Sequence, residues 1–159
     1  MAEEFSFMTI SELSALIRTK KVSPVELVES VLRTVDRLEP QINAFVTLTG
    51  DLAMDAARKA EKAVMAGETA SPLLGIPMTV KDLITVKDVR CTFGSNTMSD
   101  NVATVDAPAV ERIKAAGACI IGKTTTTEFG CKPSSTSPVS GTTRNPWNLE
   151  RTTGGSSSG

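Results

Sequence analysis

Three short stretches of the chain carry residue types that could do chemistry. The first is GIPMTVKDL, residues 75–83, an apolar run that ends on Lys81 and Asp82. Successive strand side chains point to opposite faces, so Ile76, Met78 and Val80 share one face and Pro77, Thr79 and Lys81 the other. A lysine carried into a dry site is disfavoured as a cation and can then act as a base. A solvated lysine beside Asp82 at a strand end fits the segment as well, because most lysines stay in water. The second stretch is RTTGGSSSG, residues 151–159, where Ser156, Ser157 and Ser158 follow Gly154 and Gly155. By composition it reads as a flexible end or an expression linker; the alternative is a loop of an active site. The third is GACIIGKT, residues 117–124, which matches the phosphate-binding pattern G-x-x-x-x-G-K-[ST]. That motif needs a strand, then the loop, then a helix N-terminus to receive phosphate. Here a helix closes at Gly117 and Ala118–Ile121 have strand character, so Gly117 is expected to cap a helix and Lys123 to emerge from a buried strand.

The absent residue types narrow the chemistry further. The chain has no histidine and no tyrosine. Ser-His-Asp and Cys-His catalysis, HExxH zinc sites and imidazole acid–base work are therefore excluded within it. Cys91, Cys119 and Cys131 are widely spaced and form no CxxC, so they are expected as reduced, small buried hydrophobes. At 159 residues, 40% hydrophobic and 22% charged, the chain has the make-up of one globular domain. A net charge of −1 argues against a nucleic-acid surface. No apolar run reaches membrane-span length, and the acidic N-terminus is unlike a signal peptide, so a cytoplasmic location is expected.

The elements that must position these residues follow from periodicity. TISELSALIRTKK has apolar residues at helical spacing, with Thr9 and Glu12 spaced as a capping box. SPVELVESVLRTVDRLEP repeats the pattern with Ser23, Glu26 and Pro24, and Pro40 is expected to stop the helix. INAFVTLT alternates as a strand. GDLAMDAARKAEKAVMAG reads as an Ala-rich helix closed by Gly67, GIPMTVKD as a strand, DAPAVERIKAAG as a helix closed by Gly117, and ACIIG as a short strand. This alternation predicts an α/β fold with helices on a sheet. From Lys123 onward regular pattern is lost, and a run this long without it is functional or disordered. The one tryptophan, Trp147, stands beside a turn-forming Asn-Pro and predicts a loop packed on a body.

Taken together, G-x-P-x-x-x-K-D and Gly-Gly-Ser-Ser resemble the amidase signature family. So do DAPAVERIKAAGACIIGKTTTTEFG, GTTRNPWNLERTTGGSSSG and the N-terminal helix pair followed by INAFVT. The resemblance covers nearly the whole chain, in the family's order and spacing. It implies an α/β fold, the N-terminal portion of a mixed central sheet covered by helices. In domain terms, 1–159 would be the first part of one amidase domain, with a helical region at 1–70 and the start of the catalytic core at 71–159.

The resemblance also implies a function: hydrolysis of carboxylic amides to acid plus ammonia or amine through a Ser–cis-Ser–Lys relay and an acyl-enzyme. Lys81 matches the family's base. Ser156 matches the middle serine, whose preceding peptide bond is cis in the family. Gly154, Gly155 and Ser157 would support the loop, and Gly130 and Cys131 would line the acyl pocket with Ser156. Ser158 departs from the glycine many members carry there. The relay needs no metal or cofactor. The implied partner is a small-molecule amide, with no nucleic acid and no membrane; a homodimer is left open. The family's nucleophilic serine lies beyond the cis-serine, so the 159 residues alone are expected to be inactive, to need a C-terminal part to complete the site, and to expose an apolar face. Besides a P-loop nucleotide-binding protein, disfavoured above, two rivals stand beside this reading. One is the glutamine-hydrolysing component of a tRNA-dependent amidotransferase, although TEFGCKPSS looks more like a free-standing amidase. The other is a short, non-enzymatic partner-binding module.

Overall fold

A computed structural model describes residues 5–68 and 70–155. Four helices and a three-stranded sheet form its regular framework: α1 Ile10–Arg18, α2 Pro24–Ile42, β1 Phe45–Leu48, α3 Gly50–Met65, β2 Pro77–Lys81, α4 Pro108–Ala115 and β3 Cys119–Thr124. Four short strands follow: β4 Thr136–Ser137, β5 Gly141–Thr142, β6 Arg144–Asn145 and β7 Asn148–Thr152.

Local chemistry starts and stops the helices. Thr9 caps α1 reciprocally: its hydroxyl accepts the Glu12 N–H (3.2 Å) while the Glu12 carboxylate accepts the Thr9 N–H (2.7 Å). The Thr9 N–H, and after it the Thr9 hydroxyl (2.8 Å), donate to the Glu12 carboxylate and hold it below its usual range. At α2 the Ser23 hydroxyl accepts from Val25 N–H (3.0 Å) and donates to the Glu61 carboxylate (2.5 Å). Pro40 does not end α2, which runs on to Ile42. A proline removes one hydrogen bond from the last turn without preventing that turn, and the helix closes at Asn43, whose φ is 51°.

The sheet order is β1-β3-β2. β1 and β3 are antiparallel, with Thr47 opposite Lys123 and Leu48 opposite Gly122. Beside β2, the Cys119 N–H donates to the Ile76 carbonyl (2.8 Å) and the Asp82 N–H to the Thr124 carbonyl (3.0 Å). Both partners advance together, so β2 and β3 run parallel, joined through α4 as parallel strands require. The expected mixed α/β architecture is therefore observed. β3 is the central strand and is buried from Cys119 through Lys123, the continuous burial of a strand flanked on both edges.

The chain divides into two compact units. The first comprises residues 1–37, 49–78 and 111–121. Its core gathers Leu13, Ile17, Val22, Leu27, Val64 and Ile76, the apolar faces of α1, α2 and α3 against the start of β2. The second comprises residues 38–48, 79–110 and 122–159, and it holds every described residue to which the sequence assigns chemistry.

Within the second unit the stretch after Lys123 is more regular than its sequence. β4 pairs with β5, and β6 with β7, as two antiparallel hairpins. Side-chain bonds tie the first hairpin down: Asn43 Nδ2 donates to the Ser140 carbonyl (2.6 Å), Thr125 and Thr143 share a hydroxyl bond (2.6 Å), and Thr143 Oγ1 donates to the Asn43 carbonyl (2.8 Å). Trp147 is not packed on a body; it is 94% exposed. Asn145 faces Asn148 across a two-residue loop, and the Trp147 N–H donates to Asn145 Oδ1 (2.9 Å), so the turn holds the indole at the hairpin tip.

Candidate active site

Lys81 is the last residue of β2 and is half-buried. The alternation read from the sequence holds, with Ile76 and Val80 buried and Thr79 exposed. Asp82 continues the inward face and is fully buried. It is no surface companion of Lys81. Its Oδ1 accepts from Lys123 Nζ at 3.0 Å, and neither side chain touches solvent. Its Oδ2 accepts the Thr92 N–H (3.0 Å) and the Thr92 hydroxyl (2.5 Å). Lys123 thus completes a buried ion pair from near the end of β3. This settles the phosphate-loop pattern as well: Gly117 follows α4, and Gly122, Lys123 and Thr124 lie in β3 rather than in a loop before a helix.

Cys91 borders the same pair, its thiol donating to the Asp82 carbonyl at 3.5 Å. Burial raises its pKa, the Lys123 charge partly offsets this, and the Asp82 charge adds to it. Cys119 is also buried, and burial pushes its thiol up to about 11. The third thiol corrects the expectation of three buried cysteines: Cys131 is exposed, with its Sγ donating to the Glu128 carbonyl (2.9 Å).

Two loops meet the end of β2. Gly94 lies so close to the second loop that an added Cβ would come within 2.8 Å of the Thr126 carbonyl oxygen. The Phe129 N–H donates to the Phe93 carbonyl (2.7 Å), the two rings stack with centroids 6.3 Å apart, and the Ser95 hydroxyl donates to the Glu128 carboxylate (2.8 Å). Gly130 faces the residue two beyond Lys81: a Cβ there would stand 2.7 Å from Leu83 Cδ1. The run after Gly130 then reaches the end of the described chain. Ser135 and Thr153 share a hydroxyl hydrogen bond, and a Cβ on Gly154 would lie 4.0 Å from the Pro133 carbonyl oxygen. Gly154 and Gly155 have φ of +69° and +73°, a region glycine occupies without strain. The segments that carry Lys81, Gly130, Cys131 and Gly154 are therefore linked by contacts, whereas nothing lies within 4 Å of a Cβ placed on Gly155. Ser156 and Ser157 lie outside the described residues, as does the peptide bond expected to be cis.

Asp82, Thr92, Lys123, Ser95 and Glu128 were not singled out as site residues from sequence. The sequence carries a signal for the Asp82–Lys123 pair: Asp82 shares the period-2 face of Val80, and Lys123 closes the apolar run GACIIG. A charge on an apolar face asks for a buried partner. Among the described residues no cluster of His, Cys, Asp or Glu could hold a metal, and no helix is long and apolar enough to cross a membrane.

The Amidase family profile matches residues 26–159. The chain belongs to the amidase family. Among curated relatives, it is 40% identical over 152 residues to the A component of the glutamyl-tRNA(Gln) amidotransferase of Desulfatibacillum aliphaticivorans, covering 96% of this chain and 31% of that protein. It is 41% identical to the same component of the Geobacter metallireducens enzyme, with the same coverage. The chain thus spans about a third of the length of these relatives. Among solved structures, the native peptide amidase of Stenotrophomonas maltophilia superposes with a TM-score of 0.90 at 27% identity, over 98% of this chain and 33% of that one. A bacterial aryl acylamidase of the amidase signature family gives 0.90 at 28% identity, over 96% and 32%.

Proposed function

We propose that the complete protein is an amidohydrolase that cleaves a small carboxylic amide, with Lys81 as the base of its relay. Lys81 takes the proton of Ser156, and Ser156 takes that of a nucleophilic serine supplied by residues following Gly159. The nucleophile attacks the amide carbonyl to form an acyl-enzyme. The proton returns to the leaving ammonia or amine, and water then releases the acid. Gly130 and Cys131 line the acyl pocket, while Gly154, Gly155 and Ser157 support the serine loop. The observation that carries this reading is the continuity of Lys81, the Gly130 loop and Gly154 within one unit, in a family of amide-processing enzymes. In the complete protein, Lys81→Ala and Ser156→Ala should each lower kcat for a simple amide by at least about 100-fold, the lower range for loss of a proton-transfer group. Full turnover by either variant would overturn the assignment.

A second reading draws support from the curated relatives, which are components of amidotransferases. Here the same relay releases ammonia from glutamine for a partner protein. Ammonia release from glutamine that rises only when the partner proteins are added would favour it. Partner-independent turnover of simple amides would favour the free-standing amidase.

A further inference from the structure

We infer that the buried Asp82–Lys123 pair is a positioning device that holds Lys81 at the active site. The inference rests on the reading of Lys81 as the base. Asp82 follows Lys81 directly, and besides the Cys91 thiol on its carbonyl it is held by bonds to Thr124, Lys123 and Thr92. Its N–H donates to the Thr124 carbonyl (3.0 Å), Oδ1 accepts from Lys123 (3.0 Å), and Oδ2 accepts twice from Thr92. On the far side of the residue, the Lys81 carbonyl accepts the Ile84 N–H (2.9 Å), closing a turn. The backbone that carries Lys81 is therefore fixed where it leaves the strand.

The pair also sets which face Lys81 takes. Strand side chains alternate, so a one-residue slip exchanges the two faces. In the observed register Asp82 meets Lys123, and strand alternation assigns Lys81 to the opposite face. A slip would remove the carboxylate from Lys123 and leave a buried cation unpaired, which the interior penalises heavily. Apolar replacements of buried ion pairs are often neutral for stability, but an apolar pair would not discriminate between registers. Asp82 and Lys123 come from parallel neighbouring strands and meet only when β2 and β3 are aligned as observed.

The test uses the complete protein and a fluorophosphonate, a probe that labels an activated serine whatever the natural amide. Three variants are compared with the parent by labelling rate, final labelled fraction and melting temperature. Lys81→Met should abolish labelling; labelling at the parental rate would overturn the reading of Lys81 itself. Asp82→Asn/Lys123→Met removes both charges together while Asn keeps an acceptor for Thr92. It should fold, label to the parental fraction, and do so about 10- to 100-fold more slowly, the range that a displacement near 1 Å produces. A merely structural pair would instead reduce the labelled fraction and leave the rate on that fraction unchanged. A parental rate in the folded double variant overturns the inference and leaves Lys81 untouched. Should that variant not fold, Thr92→Val keeps both charges and removes the hydroxyl bond to Asp82, together with the one the same oxygen accepts from the Gly94 N–H (3.1 Å). A several-fold slower rate supports the inference; an unchanged rate overturns it.

Discussion

Cys91 and Cys119 are buried, whereas Cys131 is exposed. A thiol reacts as its thiolate, so burial protects twice, by blocking access and by raising the pKa. With Ellman's reagent at neutral pH, one thiol per chain is expected to react quickly in the native state and three after denaturation; a second fast native thiol would contradict the burial. The same environments predict alkaline sensitivity. In the unfolded chain Cys119 ionises near its ordinary value of 9.0, but in the folded chain only at about 11. The folded state binds this proton more tightly, so its stabilisation is complete below pH 9 and is lost as pH rises to 11. Over that window the loss approaches roughly 2–3 kcal/mol. Denaturant melts across this range should show the decline, and Cys119→Ala should flatten it.

At the scale of elements, burial patterns rank the strands. β3 is buried over five consecutive residues, while all five residues of β7 are exposed. Hydrogen exchange is expected to be slowest at the β3 amides and fast in β7, since local opening follows the number of buried contacts released. Equal protection of the two strands would argue against this. Glycines offer a second test at this scale. Gly94 combines φ of +69° with a Cβ position 2.8 Å from the Thr126 carbonyl oxygen, whereas Gly67, with φ of +87°, has open space around it. Gly67→Ala should cost about 1–2 kcal/mol, the conformational term alone. Gly94→Ala adds a backbone clash and should cost about 3–4 kcal/mol. Thermal melts of the pair would show whether the loop contact near Lys81 is as tight as its geometry.

At the scale of the whole molecule, the chain corresponds to about a third of its amidase relatives. Under the proposed relay it carries Lys81 and Ser156 but not the nucleophile. The 159 residues alone should therefore show no amide turnover above background. Turnover by this chain, abolished by Lys81→Ala, would show that the nucleophile lies within it and would end the proposed division of labour.

The sequence by itself determined the elements whose causes are local. Apolar spacing and the Thr9–Glu12 box were enough for α1, and alternation was enough for β2 and for the face of Lys81. The overlapping motifs from Lys81 to Gly155 were enough for the family. Local signals misled where a residue's environment comes from distant chain. Pro40 looked like a stop but costs the last turn of α2 only one bond. Trp147 looked like an anchor, yet a two-residue turn leaves it in solvent. The hairpins after Lys123 rest on hydroxyl and amide bonds such as Thr143 to Asn43, which have no sequence period. The tertiary structure alone decided that Asp82 is a buried partner of Lys123, 41 positions away, rather than of its neighbour Lys81. The physical reason is that a buried charge is tolerable only when its counter-charge is brought within reach, and only the parallel alignment of β2 with β3 does that.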